Sequence, residues 1–356
     1  MNGTFYGTSQ GGGNPACGGG CGTVFKITKK GVETVLYSFA GGTDGSGPGG
    51  GLIDVDGTLY GTTGYGGDTA CDGGLGCGTF FSISTSGIEN VLYRFQGGSD
   101  GQSPSGNLLD FKGTLYGTTQ LGGGQSCSQI GCGTVFSVTT SGVESVIHSF
   151  AGGADGAIPL AGLTKVGAAF YGTTAGGGSG CNGPSCGTVF KITPSGIETI
   201  VYDFKAGADG ESPEASLTNE NGTLYGTTYH GGTSNLGTIF SATTTGTESV
   251  LYSFAGGSDG QNPQAPLNAV NGLLYGTTFF GGTGTACGSS GCGTVFSVTT
   301  AGAETVLYSF AGGSDGEYPA AGLISLKQML YGTTYQGGGQ ACSEHQGCGT
   351  VFTLSP

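Results

Sequence analysis

The chain has 356 residues, only 9% of them charged, with a formal net charge of −14 and a pI near 4.3. An acidic surface repels phosphate backbones and anionic headgroups, so the usual electrostatic attraction to nucleic acid or to a membrane surface is missing. No apolar run approaches the roughly 18 to 20 residues that span a bilayer, and Met1-Asn2-Gly3-Thr4 runs straight into repeat sequence without a signal-peptide pattern.

Glycine and proline number 82 and 11, a load that without periodicity would indicate low complexity. Here they punctuate short β-branched and aromatic runs, as in an all-β protein. Tyr-Gly-Thr recurs at Tyr6, Tyr60, Tyr116, Tyr171, Tyr225, Tyr275 and Tyr331, at intervals of 54, 56, 55, 54, 50 and 56 residues. Gly-Thr-x-Phe follows each copy, beginning at Gly22, Gly78, Gly133, Gly187, Gly237, Gly293 and Gly349. A period this long implies an array of supersecondary units, each too small to bury its own apolar face.

The second unit serves as the pattern. Gly51–Val55 reads as a short leading strand, Asp56-Gly57 as a two-residue turn, and Thr58–Thr63 as the returning strand. A Cys-bearing loop leads to a third strand from Gly78, Ser86-Gly87 turns the chain, and Glu89–Phe95 is the fourth strand. Four-stranded meanders repeated in this way predict a β-propeller, in which neighbouring blades cover each other's flanks. The glycine of Tyr-Gly-Thr is expected where a ring or backbone approaches closely.

The leading strand and the Glu-x-Val-Leu-Tyr-x-Phe strand each occur six times, so the first unit lacks the former and the last lacks the latter. Seven blades, two of them three-stranded, follow for one domain spanning 1–356, with units near 1–46, 47–102, 103–157, 158–211, 212–261, 262–317 and 318–356. The alternative is six blades plus an extra N-terminal hairpin. In either case an open edge strand near the termini offers self-association by strand addition.

Twelve cysteines fall as six close pairs, each in the loop between the second and third strands: Cys17/Cys21, Cys71/Cys77, Cys127/Cys132, Cys181/Cys186, Cys287/Cys292 and Cys342/Cys348. The fifth loop, Tyr229–Leu236, has lost both cysteines together. Joint loss is what local disulfides predict, and bridges closing such short loops stabilise by about 2 kcal/mol each. They imply an oxidising compartment. None of the pairs has the spacing of a zinc knuckle; the loop holding Cys342, His345 and Cys348 is the one that could offer mixed metal ligands.

Leu-Tyr-Gly-Thr-Thr, Gly-Thr-Val-Phe, Val-Leu-Tyr-Ser-Phe and Gly-Gly-x-Asp-Gly-x-x-Pro in tandem resemble the GloVer tandem repeats of bacterial surface proteins with variable C-terminal anchors. The resemblance covers nearly the whole chain and implies an exported, envelope-associated repeat protein. It brings no catalytic residues, and Thr353-Leu354-Ser355-Pro356 shows no anchor pattern.

Chemistry is sparse. His148, His230 and His345 lie in different units, and His148 replaces the usual Tyr of its strand, as a packed or edge residue would. No phosphate-cradling loop is present. Asp44, Asp100, Asp155, Asp209, Asp259 and Asp315 recur in Gly-x-Asp-Gly and read first as turn residues; calcium is the competing assignment, though one carboxylate per loop is few. The repeating Glu33, Glu89, Glu144, Glu198, Glu248 and Glu304 read as solvated residues that discourage edge pairing. Asp203, Glu211 and Glu214 form an unrepeated acidic group in the fourth linker. No catalytic residue and no cofactor is assigned. The expectation is an extracellular or cell-envelope binding scaffold, with Tyr65, Tyr229, Tyr318 and Tyr335 as contact residues for a glycan or protein partner. A structural fibre subunit and a polysaccharide-active enzyme are the alternatives.

Overall fold

The computed structural model describes residues 3–68, 71–180, 186–339 and 347–356. Among them the strands form seven sheets, each in simple chain order. The first (Thr4–Ser9, Thr23–Thr28, Glu33–Ser38) and the last (Ile324–Leu326, Met329–Thr333, Val351–Leu354) have three strands, and the five between have four. The fold is a seven-bladed β-propeller, and residues 4–38 form a blade of their own rather than a spare hairpin. The chain divides into two compact units, Met1–Phe170 with Ile192–Glu198, and Tyr171–Lys191 with Thr199–Pro356.

In the first unit the second blade shows how the repeat folds. Ile53–Val55 pairs with Thr58–Thr63 through a turn in which Asp56 (φ 50) and Gly57 (φ 85) are both left-handed, the geometry that joins twisted strands with two residues. The Asp54 carboxylate accepts the Gly57 N–H at 2.9 Å and holds that turn. Gly61 lies under the Phe81 ring of the third strand, where a Cβ would stand 2.8 Å from Cζ, so the expected close approach is that of a ring. Between the third and fourth strands the register slips at Phe80/Phe81, a β-bulge that recurs at Val24/Phe25, Val135/Phe136, Ile239/Phe240 and Val295/Phe296. It sharpens the local twist and leaves apolar groups on both faces, with Val135, Phe136 and Val138 all buried.

Each core lies between blades. One cluster joins Tyr60, Phe80 and Phe95 of the second blade to Leu115, Phe136 and Val138 of the third. In the second unit Tyr225, Ile239 and Phe254 meet Leu274, Phe296 and Val298 in the same way. An edge-to-face ring contact marks each of these seams: Phe95 to Phe136 at 5.1 Å and Phe254 to Phe296 at 5.3 Å. The repeat therefore stabilises itself pairwise, as the period implied.

Candidate functional site

The loop ends of the second to sixth blades are built by three constant contacts. The second threonine of Tyr-Gly-Thr-Thr hydrogen-bonds the threonine of Gly-Thr-x-Phe, as in Thr63 to Thr79 at 2.8 Å and Thr278 to Thr294 at 2.8 Å. The glycine before that second threonine, Gly78 for example, has φ +99, and a Cβ there would stand 2.5 Å from Pro104 of the next linker. The residue before each such proline is left-handed whatever its type, Ile158 at φ 59 and Tyr318 at φ 58 included. Its N–H goes to the loop that ends in the second cysteine: Ile158 N to Cys132 O and Tyr318 N to Cys292 O, both 2.8 Å.

The disulfides are formed as paired in the sequence for Cys17–Cys21, Cys71–Cys77, Cys127–Cys132 and Cys287–Cys292. Cys186 and Cys348 are also disulfide-bonded; Cys181, Cys342 and His345 lie outside the described residues. Disulfides on this scale place the protein in an oxidising environment.

The recurring aspartates hold turns. The Asp44 carboxylate accepts the Ala40 N–H at 2.6 Å and the Tyr37 hydroxyl at 2.8 Å. Asp100, Asp209, Asp259 and Asp315 repeat the arrangement with Tyr93, Tyr202, Tyr252 and Tyr308. Each aspartate except Asp315 also faces the glutamate that opens the fourth strand of the following blade. Those glutamates are not the solvated residues that the sequence suggested. One carboxylate oxygen in each of Glu89, Glu144, Glu198, Glu248 and Glu304 is buried with no hydrogen-bond partner. Burial first, and the nearby aspartate charge second, push the Glu89, Glu198, Glu248 and Glu304 carboxyls up to about 7, and Glu144 up as well. Glu33 opens the fourth strand of the first blade and is exposed. The packing of one blade's strand against the previous blade's turn is set by tertiary structure, so local sequence gave no sign of it.

One seam differs. At position 148 the tyrosine is replaced by His148, whose Nε2 stands 3.5 Å from the Asp155 carboxylate. His148, Asp155 and Glu198 each present a donor atom within 4.8 Å of the others, and they are the one such group among the described residues. Burial lowers the imidazole pKa, more than the Asp155 charge raises it, so His148 is neutral near pH 7. Its ring is held edge-on to Phe150 at 4.8 Å.

The four tyrosines expected to make contacts lie at the loop ends. Tyr65 and Tyr335 are exposed, at 45% and 58%. Tyr229 packs edge-on against His230, and Tyr318 stacks on Phe279 at 5.1 Å and meets Phe280 at 5.4 Å. Phe279 and Phe280 escaped the sequence reading, although they occupy the place of Tyr229 and His230 in the next copy. Of the fourth-linker acids, Asp203 accepts the Ser179 hydroxyl at 2.7 Å, and burial pushes Glu214 up to about 6. No helix among the described residues is long and apolar enough to cross a membrane.

Comparison with solved structures finds the same fold in enzymes of low identity. A periplasmic gluconolactonase of Pseudomonas aeruginosa aligns over 99% of this chain and 99% of its own at 14% identity, with a TM-score of 0.55. A mutant puromycin hydrolase aligns over 99% of this chain and 50% of its own at 12% identity and a TM-score of 0.58, so this chain spans about half of that protein. A puromycin-hydrolyzing peptidase of Mycobacterium tuberculosis gives 10% identity and a TM-score of 0.56, over 100% of this chain and 50% of its own. At such identities the likeness concerns the fold alone. No curated protein matches the chain. The sequence profile of the Gloeobacter/Verrucomicrobia repeat matches residues 1–131 and 69–288, and with the constant turns, threonine pairs and glycine contacts described above, the chain belongs to that repeat family.

Proposed function

We propose that this propeller is a binding scaffold of the cell envelope or the extracellular space, presenting the loop ends of its blades to a glycan or protein surface. The observation that carries the reading is the contrast between a constant frame and varied tips. The Thr pair, the Gly–Pro contact and the Asp turn repeat from blade to blade, while the two positions after Tyr-Gly-Thr-Thr change from Gly64-Tyr65 to Tyr229-His230 to Phe279-Phe280. The Phe279, Phe280 and Tyr318 rings form a partly exposed aromatic group that can stack on a sugar face or an apolar side chain. The disulfides suit a compartment outside the reducing cytosol.

Saturable binding on a glycan array, abolished or weakened at least tenfold by Phe279→Ala or Tyr318→Ala, supports this reading. Absence of any bound glycan or envelope protein above background, with the variants folded, removes it. A second reading, assembly by strand addition, draws on the outer edge of Val351–Leu354, which no strand among the described residues pairs, and the groove of about 180 Å³ beside it, lined by Tyr308, Phe310, Asp315 and Phe352. Concentration-dependent mass by light scattering distinguishes it. Catalysis is not part of either reading, and release of reducing ends from a polysaccharide panel would replace both.

A further inference from the structure

The seam between the third and fourth blades holds a histidine where the other seams hold a tyrosine. In the tyrosine seams the phenol hydroxyl donates to the aspartate, at 2.6 to 3.0 Å. His148 does not replace that bond: its Nε2 is 3.5 Å from Asp155 and is buried without a hydrogen-bond partner. Across the seam a buried Glu198 oxygen also lacks a partner. The substitution thus leaves two carboxyl groups and an imidazole facing one another.

We propose that His148, Asp155 and Glu198 form a binding site for a zinc-class divalent cation. One imidazole nitrogen with two carboxylate oxygens is a donor set that such ions accept, and a hard oxygen-only cation gains less from the imidazole. The spacing fits. Ligand atoms around a tetrahedral ion at ~2.0–2.2 Å stand roughly 3.4 Å apart, close to the 3.5 Å between His148 and Asp155. That separation is long for a hydrogen bond. Glu198 closes the third position from within 4.8 Å by a small side-chain rotation, leaving the remaining coordination to water. The side chains of His148 and Asp155 keep 18% and 27% of their surface exposed, so the site lies near the surface. The carboxylate repulsion across this seam is relieved by the ion's charge, which the tyrosine seams cannot receive through a nitrogen ligand. No cysteine among the described residues is free, so none of them offers a competing thiolate.

The test uses untagged, chelator-stripped protein titrated with zinc sulfate by calorimetry, and with cobalt(II) by visible absorption. His148→Tyr is the decisive variant, since tyrosine stands at this place in the other blades and keeps the fold; Glu198→Gln is the second. The expected result is one equivalent bound by the wild-type chain, a thermal midpoint raised by zinc, and affinity lowered at least tenfold in both variants. Equal binding by wild type and His148→Tyr, or no binding by a folded wild-type chain, overturns the proposal. So does a His148 resonance that titrates as an ordinary ion pair with Asp155 and does not shift on addition of zinc.

Discussion

Leu236 lies against Gly256 in the place where Cys71 lies against Gly97. A Cβ on Gly256 would stand 2.6 Å from the leucine Cδ1, and one on Gly97 would stand 2.5 Å from the Cys71 sulfur. The loop without cysteines therefore keeps the contact under the Asp turn and substitutes an alkyl group for the cystine.

This equivalence separates the loops by chemistry. Under reductant, amide exchange should speed up in the loop of Cys127 and Cys132 and stay unchanged over residues 233–237, as read by hydrogen-exchange mass spectrometry. Leu236→Ala should lower stability by about 1–3 kcal/mol, because the side chain is partly buried and the site cannot collapse around a fixed turn. Chemical denaturation measures that loss. Uniform exchange under reductant would show that the bridges do not hold the turns.

Gly117 lies beneath the Phe136 ring, and a Cβ there would stand 2.5 Å from Cζ. Its backbone is not left-handed, so the obstacle to Gly117→Ala is steric alone. The substitution should cost about 1–3 kcal/mol through overpacking, and Phe136→Leu in the same chain should recover part of that loss. A double-mutant cycle with additive costs would contradict the ring contact.

The seam glutamates give stability an unusual pH dependence. Glu89, Glu248 and Glu304 have carboxyls pushed up to about 7 in the fold, against 4.5 for the free group. The folded chain therefore binds more protons than the unfolded one between these values. The sign follows: this contribution is fully present below about pH 4.5 and is lost as pH rises through 7. The thermal midpoint should fall from pH 5 to pH 8. General repulsion from a net charge of −14 acts in the same direction, so Glu304→Gln is the discriminating variant. It should flatten part of the slope and leave the protein as stable as wild type, or more so, at pH 8. An unchanged slope would remove the seam carboxyls as its source.

The period, the four-strand meander and the local disulfides were legible because each rests on residues close in the chain: Asp56-Gly57 sets its own turn, and Cys71 meets Cys77 within one loop. Gly61 was legible for its kind of contact. The partner, Phe81, required the strand pairing. The glutamates were misread because exposure depends on the neighbouring blade: Glu89 meets the turn of Asp44, forty-five residues earlier, and nothing near Glu89 records that. His148 was visible as a departure from the repeat, but its approach to Glu198 of the next blade was not. The bulge at Phe80/Phe81 left no sign in the alternation of that strand.

The join between blades runs in one direction: an aspartate turn receives the glutamate strand that follows it, and the same chemistry recurs from Asp44 and Glu89 to Asp259 and Glu304. A gene segment encoding one unit could be duplicated, excised or exchanged by recombination without inventing a new junction. Lineages carrying such segments can vary the tips while inheriting the joints unchanged.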